Sequence, residues 1–123
     1  MEKVHKKKKL LNLYRKINIE NKVFLTGYIK NIEPYLSNMD IGLIPSRWEG
    51  FGLVSVEMLS TGMPLICSNV PGLSEVVNKC LAVELVKSNN SVAITKGILK
   101  LIKKIKNQDT NVIVEHARKR AEK

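Results

Sequence analysis

The chain has 123 residues and a hydrophobic content of 44%, near the usual size of one domain and enough for one core. Lysine and arginine outnumber aspartate and glutamate 21 to 11, a formal net charge of +10. With no apolar run of about 18 residues, and with two cysteines and two histidines outside any ligand spacing, the composition builds neither a membrane-spanning helix, nor a metal centre, nor a disulfide framework.

In chain order, the pattern alternates helix and strand. A basic helix is expected over Glu2 to Lys16, then a strand at Val23–Thr26 closed by Gly27-Tyr28. Its basic start leads into an amphipathic pattern rather than the apolar core of a secretory signal, so the expected compartment is the cytosol. Asn31 is placed to cap a short helix with Pro34 in its first turn, ending near Asn38. The short apolar stretch Ile41–Ile44 reads as a buried strand, followed by Pro45 and a glycine-rich turn. From about Gly52, Leu53, Val56, Met58 and Leu59 recur at roughly helical spacing until Gly62-Met-Pro64 stops the helix.

A strand at Leu65–Ser68 and a short helix at Leu73–Val77 follow, then a strand near Ala82–Val86. A long helix is expected from Ser91 to Lys106, weakened but not broken by Gly97. Asp109 or Thr110 is placed to cap a last helix through Arg118. Cys67 lies in the apolar run Leu65-Ile-Cys67 and reads as a buried free thiol; His5 and His116 read as surface residues. Strands alternating with helices predict a parallel sheet with helices packed on it, its ligand lying beyond the carboxyl ends of the strands.

The segment Arg47-Trp48-Glu49-Gly50-Phe51-Gly52-Leu53-Val54-Ser55-Val56-Glu57 lies at such an end. Gly50 and Gly52 allow a sharp turn and a close approach to a ligand. The helix terminus beyond them offers free amides and a positive dipole end, a natural place for a pyrophosphate. Glu49 falls in the loop, and Glu57 roughly 8 Å along the helix, where a carboxylate can accept hydrogen bonds from vicinal hydroxyls. The bland reading is a pair of exposed carboxylates favouring a helix N-terminus. Ser46 and Arg47 read either as phosphate or sugar contacts or as plain turn residues. Trp48 reads either as a platform for a sugar face or as packed on its neighbours.

The pattern Pro45-Ser46-Arg-Trp-Glu49-Gly50-Phe51-Gly52-Leu53-x-x-x-Glu57, with Gly62-x-Pro64-Leu-Ile-Cys-Ser68 and Gly72-Leu-Ser-Glu75-Val-Val77, resembles retaining glycosyltransferases of the family 4 type. The resemblance runs from about Val23 to Val86. It implies the C-terminal, donor-binding domain of a two-Rossmann-domain (B-type) enzyme. That enzyme moves a sugar from a nucleoside diphosphate to a saccharide or lipid-linked acceptor with retention. It further implies that Glu49, the catalytic-site carboxylate, contacts hydroxyls of the donor sugar and that Glu57 holds the ribose. The backbone around Gly50, Phe51, Gly52 and Leu53 would approach sugar and diphosphate, and Tyr28 would lie near the base. Glu75 is read as structural. No cofactor and no metal is implied. Surface polysaccharide assembly is the family-level analogy.

The chain departs from that pattern. It shows no N-terminal acceptor domain and lacks the first two strands of the domain it resembles, so the expected fold is an incomplete doubly wound parallel sheet of about four strands. In a 3-2-1-4-5-6 order, a gap would separate Val23–Thr26 from Ile41–Ile44. Re-pairing of those strands, a dimer, or a missing half would have to close it. The alternative to an enzyme is a nucleotide-sugar-binding fragment, inactive without that half. The basic runs at Lys6–Lys9, Lys100–Lys106 and Arg118–Lys123 read as solvated helix faces or as attraction to an anionic membrane, which would place the chain at the inner face. Few aromatics interleave with them, so nucleic acid is not the expected partner.

Overall fold

The computed structural model describes residues 1–123 and divides into two units, Met1–Asn31 and Ile32–Lys123. In the first, α1 spans Glu2–Lys16. Glu2 opens it, pairing with Lys6 one turn on at 2.8 Å, and Asn18 ends it at φ 57, from where its amide reaches back to the Arg15 carbonyl. No α1 residue is buried. The expected strand at Val23–Thr26 does not form. Its alternation is real, with Val23 and Leu25 half-buried and Phe24 and Thr26 exposed, but the segment enters no ladder. A strand exists only through its partner's amides and carbonyls; sequence period reports the face, not the partner.

The second unit begins with α2, Glu33–Leu36, where Pro34 occupies the first turn as expected but Ile32 rather than Asn31 is the N-cap residue. β1 (Gly42–Ile44), β2 (Leu65–Ser68) and β3 (Val83–Val86) form a sheet in the order β1-β2-β3. Both pairings are parallel, with Leu43 opposite Ile66 and Cys67 opposite Leu85. The sheet thus has three strands rather than four, and β1 pairs with β2 alone.

β2 is buried at every position, the mark of a central parallel strand covered on both faces. One face packs Leu65 and Cys67 into the main core with Leu59 of α3 (Leu53–Ser60), Leu73 and Val77 of α4 (Leu73–Val77), and Ile113 and Ala117 of α6 (Thr110–Ala121). Ile66 and Val86 turn the other way, onto Leu101 of α5 (Ser91–Asn107). Local signals set the helix ends. Asn90 accepts the Ala93 amide at 2.9 Å, and Asp109 accepts that of Asn111 at 2.9 Å. After α3, Gly62 at φ 85 and Met63 bond back to Leu59 and Met58, a double C-cap.

The basic runs are not simply solvated. Glu84 of β3, buried on the α5 side, takes Lys104 at 2.6 Å and Lys100 at 2.9 Å, and Lys104 also reaches the Leu81 carbonyl. Burial pushes the Glu84 carboxyl up, but hydrogen bonds and charge from Lys104 and then Lys100 outweigh it and hold its pKa below the usual value. Arg120 donates to the carbonyls of Val76 and Glu75 at the end of α4. Cys67 is a buried free thiol, pushed up to about 12 by burial and then by Cys80. Burial raises Cys80 as well.

Two outcomes follow from this packing. A Cβ on Gly97 would lie 2.5 Å from Cγ1 of Val86, a branched side chain with little room to move. Gly97→Ala should therefore lower the melting temperature, because overpacking of about 1–3 kcal/mol exceeds the helix-propensity gain of about 1 kcal/mol. A folded-state pKa held low at Glu84 stabilises above the unfolded value near 4.3 and is lost as pH falls through the folded value. Glu84→Gln should flatten the decline of stability below about pH 4.5, in denaturant melts taken across pH, and should cost about 1–3 kcal/mol at pH 7 by leaving Lys104 without its counter-charge.

Candidate functional site

Three parallel strands end on one edge, and the two loops leaving β1 and β2 there touch backbone to backbone. The loop after β1 runs from Pro45 to Gly52, and the loop after β2 from Asn69 to Gly72. Gly72 sits at φ 81, and a Cβ on it would come within 2.5 Å of the carbonyl oxygens of both Glu49 and Gly50. Only a residue without a side chain, in a conformation that glycine favours, allows this approach. The sequence pattern includes Gly72 but gives no hint that it is the seat of the loop carrying Glu49.

Gly52 forms the other half of the joint. At φ 64 it turns the chain into α3, lies next to the Gly72 carbonyl, and is the helix N-cap without a capping side chain. Its own carbonyl is taken by Ser55, through both the amide and the hydroxyl. Ser55 is fully buried, and hydropathy spacing does not single it out. The buried stripe of α3 is Ser55 and Leu59, with Val56 and Met58 half-buried, whereas Leu53, expected on that face, is 67% exposed. Its amide and that of Val54 open the helix and find no acceptor in the chain. Two free donors therefore point outward at the positive end of the helix.

Around them stand the other expected residues. Glu49 is half-buried and receives a long hydrogen bond, 3.4 Å, from the Ser46 hydroxyl. Glu57 is exposed on α3 and its carboxylate has no partner. Arg47 is exposed and forms no ion pair. Trp48 and Phe51 are 83% and 80% exposed; Trp48 does not pack into its surroundings, and its ring comes only within 4.0 Å of a Cβ built on Gly50. Ser46, Arg47, Glu49, Gly50, Phe51, Gly52, Leu53 and Glu57 thus all lie on one loop and the helix it opens. Tyr28 belongs to the first unit, where it follows Gly27 at φ 69 and is 91% exposed. Glu75 lies exposed in the first turn of α4, where its side chain caps nothing.

Chemically the arrangement offers amide donors for an anion and two carboxylates for hydroxyl groups. No three histidine, cysteine, aspartate or glutamate side chains gather at ligand distance, and no helix is long and apolar enough to cross a membrane.

Known proteins carry the same pattern. Residues 3–120 match the family described as glycosyl transferases group 1. An O-antigen biosynthesis glycosyltransferase, WclY, of Escherichia coli is 34% identical over 80 residues, 64% of this chain and 23% of its own length. The UDP-Gal:alpha-D-GlcNAc-diphosphoundecaprenol alpha-1,3-galactosyltransferase of Escherichia coli is 36% identical over 70 residues, 57% of this chain and 17% of that protein. The matched stretch thus spans about a fifth of such relatives. Among solved structures, a sucrose-phosphate synthase from Thermosynechococcus elongatus superposes with a TM-score of 0.81 at 24% identity, over 96% of this chain and 30% of that one. That likeness shows a shared fold, a Rossmann-like parallel sheet with flanking helices.

Replacing Gly72 by alanine should destabilise the chain by about 1–3 kcal/mol and displace the Glu49–Gly50 backbone. A thermal melt, together with amide shifts at Glu49 to Gly52, reads both effects; the same substitution at exposed Gly27, where a Cβ meets nothing, should leave those shifts in place.

Proposed function

Because this chain belongs to the group 1 glycosyl transferases, we propose that it is the donor-binding part of a two-domain retaining glycosyltransferase. The observation that carries the reading is the pair of unpartnered amides at Leu53 and Val54 beside two carboxylates free to accept hydroxyls. In this reading a nucleoside diphosphate sugar lays its diphosphate on the start of α3. Glu57 accepts from the ribose hydroxyls and Glu49 from the sugar hydroxyls, while Ser46, Arg47 and the backbone from Gly50 to Leu53 line the donor. Charge that develops on the departing diphosphate meets dipoles already in position, which costs no reorganisation at the moment of transfer. Neither metal nor cofactor takes part.

The acceptor is a saccharide or a lipid-linked saccharide, in keeping with one relative named for O-antigen biosynthesis and another named for a diphosphoundecaprenol-linked GlcNAc. The enzyme works in the cytoplasm, drawn to the inner face of the membrane by lysines such as Lys7 to Lys9. The outer edge of β1 carries no strand, which supports completion of the sheet by further strands or by a second copy. A second reading rests on the same edge: without such completion the chain binds a nucleotide sugar but does not transfer it.

Calorimetric titration with uridine and guanosine diphosphates and their sugar derivatives, at two salt concentrations, tests the donor site. Saturable binding is expected, weakened about tenfold or more in Glu57→Ala through loss of charge-assisted hydrogen bonds. Equal affinity in wild type and Glu57→Ala would overturn the assignment. Salt-sensitive binding of any polyanion, indifferent to Glu49→Ala and Glu57→Ala, would identify a basic scaffold instead.

A further inference from the structure

A concave site, unconnected with the donor loop, lies at the opposite end of α4 from Gly72. It is a cleft of about 370 Å³ between the turn after α4 and one face of α6. Lys79, His116, Lys119, Arg120 and Lys123 line it, with Glu75 as its one acidic residue. His116, Lys119, Arg120 and Lys123 follow the i, i+3, i+4, i+7 spacing, so α6 and its end present them along a single stripe.

Gathering like charges at this spacing destabilises a helix unless something opposite in sign joins them. Part of the compensation is internal. Arg120 serves the carbonyl end of α4 through Nε and one Nη, 2.9 Å from the Glu75 oxygen, and Lys119 pairs with Glu115 at 2.6 Å, both exposed. That is incomplete. Lys79, held in the left-handed region at φ 58 by the turn, has no acceptor in the chain. Arg120 has five N–H donors and spends two. Because those two bonds anchor it, its guanidinium stays in the lining of the cleft without the usual loss of side-chain freedom.

We propose that this cleft binds a phosphate-class anion, either free in solution or as the headgroup of an anionic lipid. Arg120 supplies fixed donors in its lining, while Lys79 and Lys119 close on the anion from the two walls. The site takes tetrahedral oxyanions through charge and multiple N–H donors rather than through shape. It does not depend on the donor-site reading, since no residue is shared between them.

The test is an NMR titration of the 15N-labelled 123-residue chain with inorganic phosphate at low ionic strength, beside the double variant Lys79→Gln, Lys119→Gln. Both side chains are exposed, so the variant should fold, which a thermal melt checks. A parallel arm sediments the same two proteins with vesicles of phosphatidylcholine, with and without phosphatidylglycerol. Saturable shifts at Asn78, Lys79 and His116 to Arg120, weakened roughly tenfold in the variant, would support the site with free phosphate as ligand. Vesicle binding that requires phosphatidylglycerol and is lost in the variant would support it with a lipid headgroup. Shifts confined to Leu53 and Val54, or no saturable shift at the cleft together with vesicle binding that is absent or unchanged in the variant, would overturn it. Because the Leu53 and Val54 amides report separately, failure here is distinguishable from failure of the donor site.

Discussion

The contact between two loop backbones at Gly72 is the constraint on which the site depends. Parallel strands deliver their loops to one edge of a sheet, but a loop of seven or eight residues has many ways to leave that edge. Here the carbonyls of Glu49 and Gly50 rest where a side chain on Gly72 would be, and Gly52 turns beside the Gly72 carbonyl. That joint fixes where α3 begins. It therefore fixes the direction in which its first amides point and the distance at which Glu49 and Glu57 flank them. A glycine costs backbone entropy on folding; at this position the cost secures an approach no other residue permits.

The rest of the unit holds that joint in register. β2, buried on both faces, ties the core of α3, α4 and α6 to the separate cluster under α5. Gly97 lets α5 lie close over Val86 and Ile66, and Glu84 binds the same helix electrostatically from β3 through Lys100 and Lys104. Arg120 then ties α6 to the end of α4, the helix that Gly72 opens. The basic composition is thus partly structural. Two lysines and an arginine that add to the net charge are spent on a buried carboxylate and on helix carbonyls.

Much of the architecture was legible in the sequence because it rests on local signals. Proline in the first turn of α2, Asp109 before α6, Gly62-Met-Pro64 after α3 and the apolar run at Leu65–Ser68 all act within a few residues, and each marks its element. What escaped was non-local. Val23–Thr26 alternates like a strand and finds no partner. Leu53 fits a helical apolar spacing, yet α3 buries Ser55 instead, because Ser55 binds the Gly52 carbonyl under the turn. Lys104 reads as surface until β3 brings Glu84 to it. The placing of Glu49 on the loop and of Glu57 on the helix was visible from their spacing. Its support by Gly72, more than twenty residues on, depends on strand order and on a contact that no spacing rule encodes.

The most direct measurement is a crystal structure of the chain with bound uridine or guanosine diphosphate. Diphosphate oxygens should lie within hydrogen-bond distance of the Leu53 and Val54 amides, with ribose hydroxyls on Glu57 and the Glu49–Gly50 carbonyls still seated over Gly72. A nucleotide bound elsewhere on the chain, or bound there with the Gly72 contact broken, would contradict it.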